Sequence, residues 1–79
     1  MATILLVDDH LDIRDALRSM LESDRHTVVE AKDGHEAIAS WHAHKTDLVI
    51  TDFSMPGLNG LDVIQAIATK NPDTPIILM

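Results

Sequence analysis

Two short apolar runs constrain this chain more than anything else in it. Thr3-Ile4-Leu5-Leu6-Val7 stops at Asp8-Asp9, and Leu48-Val49-Ile50-Thr51 stops at Asp52. Apolar runs with no polar alternation read as strands buried on both faces, the habit of parallel sheets. In a parallel sheet the tips of both runs fall on one edge, so Asp8, Asp9 and Asp52 should arrive together. Carboxylates gathered there repel one another unless a cation or a proton sits among them. The pattern therefore points to chemistry rather than to packing.

The intervening sequence supplies the helices that such a sheet needs. Residues 10–23 place Ile13, Ala16, Leu17, Met20 and Leu21 on one stripe, with Asp9 suited to cap the helix and Asp12 in its first turn. Residues 27–31 form a short second strand. Asp33 with Glu36 resembles a capping box for a helix reaching about His44, with Ala37, Ile38 and Trp41 inward. A third strand covers residues 47–51. The breaker-rich stretch Met55-Pro56-Gly57-Leu58-Asn59-Gly60 is a loop, and Asn59 caps a third helix with Leu61, Ile64, Ile67 and Ala68 facing in. After Asn71-Pro72-Asp73-Thr74, residues 75–79 open a fourth strand. Alternating strand and helix predict an α/β sheet with right-handed crossovers, the first and third strands central. Ligands of such sheets bind beyond the carboxyl ends of the strands, where strand order reverses.

Composition narrows the class. The chain has 79 residues and no cysteine, so disulfides and thiolate zinc sites are excluded. A formal net charge of −7 disfavours direct nucleic-acid binding and favours a basic partner surface. No signal-peptide pattern is present and no apolar stretch nears the ~20 residues of a membrane helix, so a cytoplasmic location is expected.

The run Ile4-Leu5-Leu6-Val7-Asp8-Asp9, followed by Asp52-Phe53-Ser54-Met55-Pro56-Gly57-Leu58-Asn59-Gly60, resembles the receiver domain of two-component response regulators. The resemblance implies a doubly wound parallel sheet, the flavodoxin-like α/β fold of strand order 2-1-3-4-5, here lacking the last strand and last two helices. It also implies that Asp52 accepts a phosphoryl group from a histidine kinase or phosphotransfer protein in a phosphorelay. Asp9 would then bind Mg²⁺ directly, Asp8 mainly through water, Asp52 through its carboxylate and Ser54 through its backbone carbonyl. Such a domain is a signalling switch rather than an enzyme, although it assists its own phosphorylation and dephosphorylation. Chemistry is consistent with this: Mg²⁺ takes oxygen ligands and one or two carboxylates, and carboxylate is a recognised phosphoryl-accepting nucleophile.

Receivers of this family continue past the fourth strand to a Ser or Thr, a Lys and two further helices, whereas this sequence stops at Met79. Residues 1–79 are thus expected to be the N-terminal part of a single receiver domain. An open fourth strand and a partly uncovered sheet face should make the segment self-associate. Two rival readings are a non-phosphorylated pseudo-receiver for docking and a haloacid-dehalogenase-type phosphatase. The phosphatase needs a second Asp two positions after the nucleophile, and Ser54 stands there.

The remaining polar residues read as structure or surface. Trp41 at helical spacing is a core residue. Arg14 and Arg18, with Asp15 and Glu22, form a solvated ion-pair face. His26, His35, His42 and His44 lack metal-site spacing, while His10 follows the acidic pair and borders its pocket.

Overall fold

The computed structural model describes residues 1–79. Its elements are β1 (Thr3–Val7), α1 (Leu11–Ser23), β2 (Thr27–Ala31), α2 (Gly34–Ala43), β3 (Leu48–Thr51), α3 (Gly60–Lys70) and β4 (Ile76–Leu78). All pairings are parallel, and the strand order is β2-β1-β3-β4. The central position of β1 follows from its composition, since Ile4 through Val7 are each at most 2% exposed.

Side chains alternate across the sheet with period two. Leu5 and Val7 share one face with Val49 and Ala31, where they pack against Ala37 of α2, Val63 and Ile67 of α3, and Met55. Trp41 lies half-buried against the same cluster, as the sequence predicts. Ile4 and Leu6 are buried outside that cluster, on the face covered by α1. No residue of α1 is fully buried, and Leu11, Ile13 and Met20 are 58%, 47% and 65% exposed.

Several boundaries and faces differ from the sequence reading. The N-cap of α1 is His10, without a side-chain cap bond, rather than Asp9. Asp8 provides the local turn instead, its Oδ1 accepting the His10 N–H at 2.8 Å. At α2 only half of the expected box forms. Asp33 accepts the Glu36 N–H at 2.7 Å, but Glu36 accepts from the Lys32 N–H. The full capping box is at α3, where Asn59 and Asp62 exchange bonds of 3.0 Å each. Asp47 stays outside β3 because it clamps Thr3 from both sides. Its N–H donates to the Thr3 carbonyl at 2.7 Å and its carboxylate accepts the Thr3 N–H at 2.8 Å.

The inner face of α3 is Gly60, Val63 and Ile67, whereas Leu61 is 48% exposed and Ala68 is exposed. The helix is rotated because its first residue meets the β3 tip closely. A Cβ at Gly60 would stand 2.5 Å from the Asp52 carbonyl oxygen and 2.9 Å from the Phe53 Cα. Only a residue without a side chain allows that approach, and it anchors the helix directly behind Asp52.

Gly60→Ala should therefore destabilise the fold by about 1–3 kcal/mol, the usual range for forcing an extra group into a packed site. Chemical denaturation checks this. An unchanged midpoint would show that the β3–α3 junction has slack.

Candidate functional site

The register of β1 builds the site. Val7 pairs with Ala31 on one side and with Thr51 on the other, so the residues after Val7 and Thr51 emerge side by side. The ladder extends one step beyond the strands. The Asp8 N–H donates to the Ala31 carbonyl at 3.1 Å, and the Asp52 N–H to the Val7 carbonyl at 2.8 Å. Backbone bonds thus hold both acidic tips. Asp8, Asp9, His10 and Asp52 converge so that one ligand atom from each lies within 4.8 Å of all the others. Three of these are the carboxylates singled out in the sequence, and the fourth is the histidine expected at the border.

The carboxylates differ in exposure. The Asp8 side chain is 3% exposed, Asp9 26% and Asp52 20%. Asp8 is therefore the floor of the cup, while Asp9 and Asp52 form its open wall. The Ser54 N–H donates to Asp52 Oδ1 at 3.2 Å and fixes the rotation of that carboxylate. Ser54 itself is exposed beside it. Oxygen donors from three carboxylates at these separations match what a small, hard divalent cation such as Mg²⁺ requires.

Arg14 and Arg18 are not a purely solvated face. Arg14, 15% exposed, reaches Glu30 of β2 with Nε to Oε1 at 2.9 Å, and its Nη1 donates to the Asp8 backbone carbonyl at 2.8 Å. Arg18 joins the same carboxylate at 3.1 Å. These bonds clamp the β1–α1 turn that carries Asp8 and Asp9. Glu30 gave no signal in sequence, because its partners lie in a different element; only its place as the one acid in an otherwise apolar short strand marks it.

The concave volume of the chain lies elsewhere. A groove of about 250 Å³ is lined by Trp41, His42, Lys45, Thr46 and Asn71, near the C-terminal ends of α2 and α3. The acidic residues Asp8, Asp9 and Asp52 take no part in that groove.

His10 Nδ1 lies 3.1 Å from Asp8 Oδ1 and 3.1 Å from Asp9 Oδ1. Its pKa is raised above the ordinary 6.5, first by the hydrogen bond to Asp8 and then by the Asp9 charge. A raised folded-state value means that the ring's contribution to stability is complete below pH 6.5 and is lost as pH rises through the folded-state midpoint. NMR titration of the His10 ring in the cation-free protein should give a midpoint above 6.5. A midpoint at or below that value would contradict the geometry.

Comparison with known proteins agrees with this architecture. The family described as response regulator receiver domain matches residues 4–79. The transcriptional regulatory protein ResD of Bacillus subtilis is 42% identical over 76 residues, which are 96% of this chain and 31% of ResD. The response regulator TrrA of Thermotoga maritima, solved in complex with Mg²⁺-BeF, superposes with a TM-score of 0.94 at 40% identity, over 99% of this chain and 68% of that one. TrrA in complex with the histidine kinase ThkA superposes with a TM-score of 0.92 at 40% identity, over 99% and 67%. The chain thus spans about a third of the length of ResD. The match is one of sequence and fold together, and the chain belongs to the response regulator receiver domain family.

Proposed function

We propose that Asp52 is the phosphoryl acceptor of a two-component phosphorelay, with Mg²⁺ held by Asp9 directly, by Asp8 mainly through water, by the Asp52 carboxylate and by the Ser54 backbone carbonyl. The observation that carries this reading is the meeting of Asp8, Asp9 and Asp52 at one sheet edge. The donor is a phosphohistidine on a histidine kinase or phosphotransfer protein, a partner class that the ThkA complex of TrrA supports.

An Asp52 carboxylate oxygen attacks phosphorus, the P–N bond of the phosphohistidine breaks, and its electron pair leaves with the imidazole, which is protonated. An acyl phosphate remains on Asp52. The Ser54 N–H holds the carboxylate in its orientation throughout. Mg²⁺, when bound, offsets the charge on a phosphoryl group entering among carboxylates. Asp8 is too deeply buried to compete as the acceptor, and Asp9 is committed to the cation. The new charge then biases a nearby two-state element, the exposed loop after β3 being the closest. The domain acts as a cytoplasmic switch that assists its own phosphorylation and hydrolysis, without turnover of an external substrate.

Two outcomes are expected. Incubation with a small phosphodonor and Mg²⁺ should label the protein in a hydroxylamine-sensitive form, and Asp52→Asn should abolish the label. A label that persists in this variant moves the acceptor elsewhere. The isolated 79-residue chain should also self-associate through β4, an edge strand whose Ile77 and Leu78, with Met79 next to them, are 49%, 43% and 44% exposed. Sedimentation should show concentration-dependent dimers or larger species. A compact monomer with a sharp melt would contradict this.

A further inference from the structure

The reading above uses only oxygen donors and leaves the His10 imidazole without a role. Its Nδ1 is 3.1 Å from Asp8 Oδ1, 3.1 Å from Asp9 Oδ1 and 3.9 Å from Asp52 Oδ2. Those spacings, with one ligand atom from each of the four residues inside 4.8 Å of the others, bring Nδ1 within reach of a cation shared with the three carboxylates.

The placement is fixed by the backbone. His10 is the N-cap of α1, its N–H is held by Asp8 Oδ1 at 2.8 Å, and its carbonyl accepts the Arg14 N–H at 3.0 Å. Arg14 in turn grips the Asp8 carbonyl and Glu30. The ring is therefore delivered to the cup by a clamped turn rather than by a free surface side chain.

We infer that His10 Nδ1 is a nitrogen ligand of the cation held by Asp8, Asp9 and Asp52, and that it shifts the site's preference from Mg²⁺ toward Zn²⁺ and related first-row divalent ions. The inference rests on the cation-cup reading of these carboxylates and deepens it. Imidazole suits zinc, copper and nickel, whereas magnesium selects carboxylate, carbonyl and water. The cluster offers carboxylate oxygens together with one imidazole nitrogen, a mixed donor set of the kind zinc accepts from protein side chains. With Nδ1 on the metal, the ring proton sits on Nε2, at the outer side of a side chain that is 61% exposed.

The test compares Mg²⁺ and Zn²⁺ affinities by calorimetry in the unmodified protein, His10→Asn and Asp9→Asn, alongside imidazole ¹⁵N spectra of the unmodified protein with Zn²⁺. The Zn²⁺-to-Mg²⁺ affinity ratio should fall roughly tenfold or more in His10→Asn, since losing even an outer-shell partner of a metal costs about that much. The His10 Nδ1 resonance should move at the first equivalent of zinc, ahead of His26, His35, His42 and His44, which report zinc at other surfaces. An unchanged ratio, or a stationary His10 ring while the Asp9 and Asp52 amides respond, overturns the nitrogen ligand and leaves the oxygen cup intact. Undiminished binding of both ions in Asp9→Asn overturns the cup itself, and the inference with it.

Discussion

Mutual repulsion among three carboxylates is the constraint around which this structure is organised. Like charges gathered this closely disfavour one another unless a cation or a proton lies among them, and His10 sits among these three. The chain sustains that cost because the backbone leaves it no alternative. Val7 lies between Ala31 and Thr51 in a parallel ladder, and the ladder continues through the Asp8 and Asp52 amides. Moving either strand along the ladder by one residue would draw its carboxylate tip in among buried apolar neighbours or pull buried side chains out past the edge. The apolar core on β1 thus enforces the acidic cluster at its tip.

Packing and polar contacts elsewhere serve the same edge. Gly60 lets α3 start against the Asp52 carbonyl, and the Asn59–Asp62 box fixes where that start occurs. Arg14 joins α1, β2 and the Asp8 carbonyl in one set of bonds. The cup is consequently held from behind and from one side, and stays open in front. That is the geometry a phosphoryl acceptor needs when its donor is a histidine on another protein.

Much of this was legible in the sequence. Uninterrupted apolar runs marked β1 and β3 as central strands, and their acidic tips marked the site, because both signals are local and strong. Asn59 was legible as a cap for the same reason. The inward face of α3 was not, since the choice of Val63 over Leu61 depends on how closely Gly60 approaches β3. Asp9 reads as a good cap in isolation, yet the tertiary site claims its carboxylate and leaves His10 as the cap. The pairing of Arg14 with Glu30 spans 16 positions and two elements, and no helical spacing rule reaches that far. The sequence put His10 at the border of the pocket; only the three-dimensional structure places its ring among three carboxylates.

The central claim is that distant carboxylates share one cation. Crystals grown with Mn²⁺, a spectroscopically and crystallographically visible substitute for Mg²⁺, test it through anomalous scattering. The account predicts one strong peak within bonding distance of the Asp9 and Asp52 carboxylates and next to Asp8. A peak elsewhere, or an Asp52 side chain turned out of the cup with the ion bound only by Asp8 and Asp9, would contradict it.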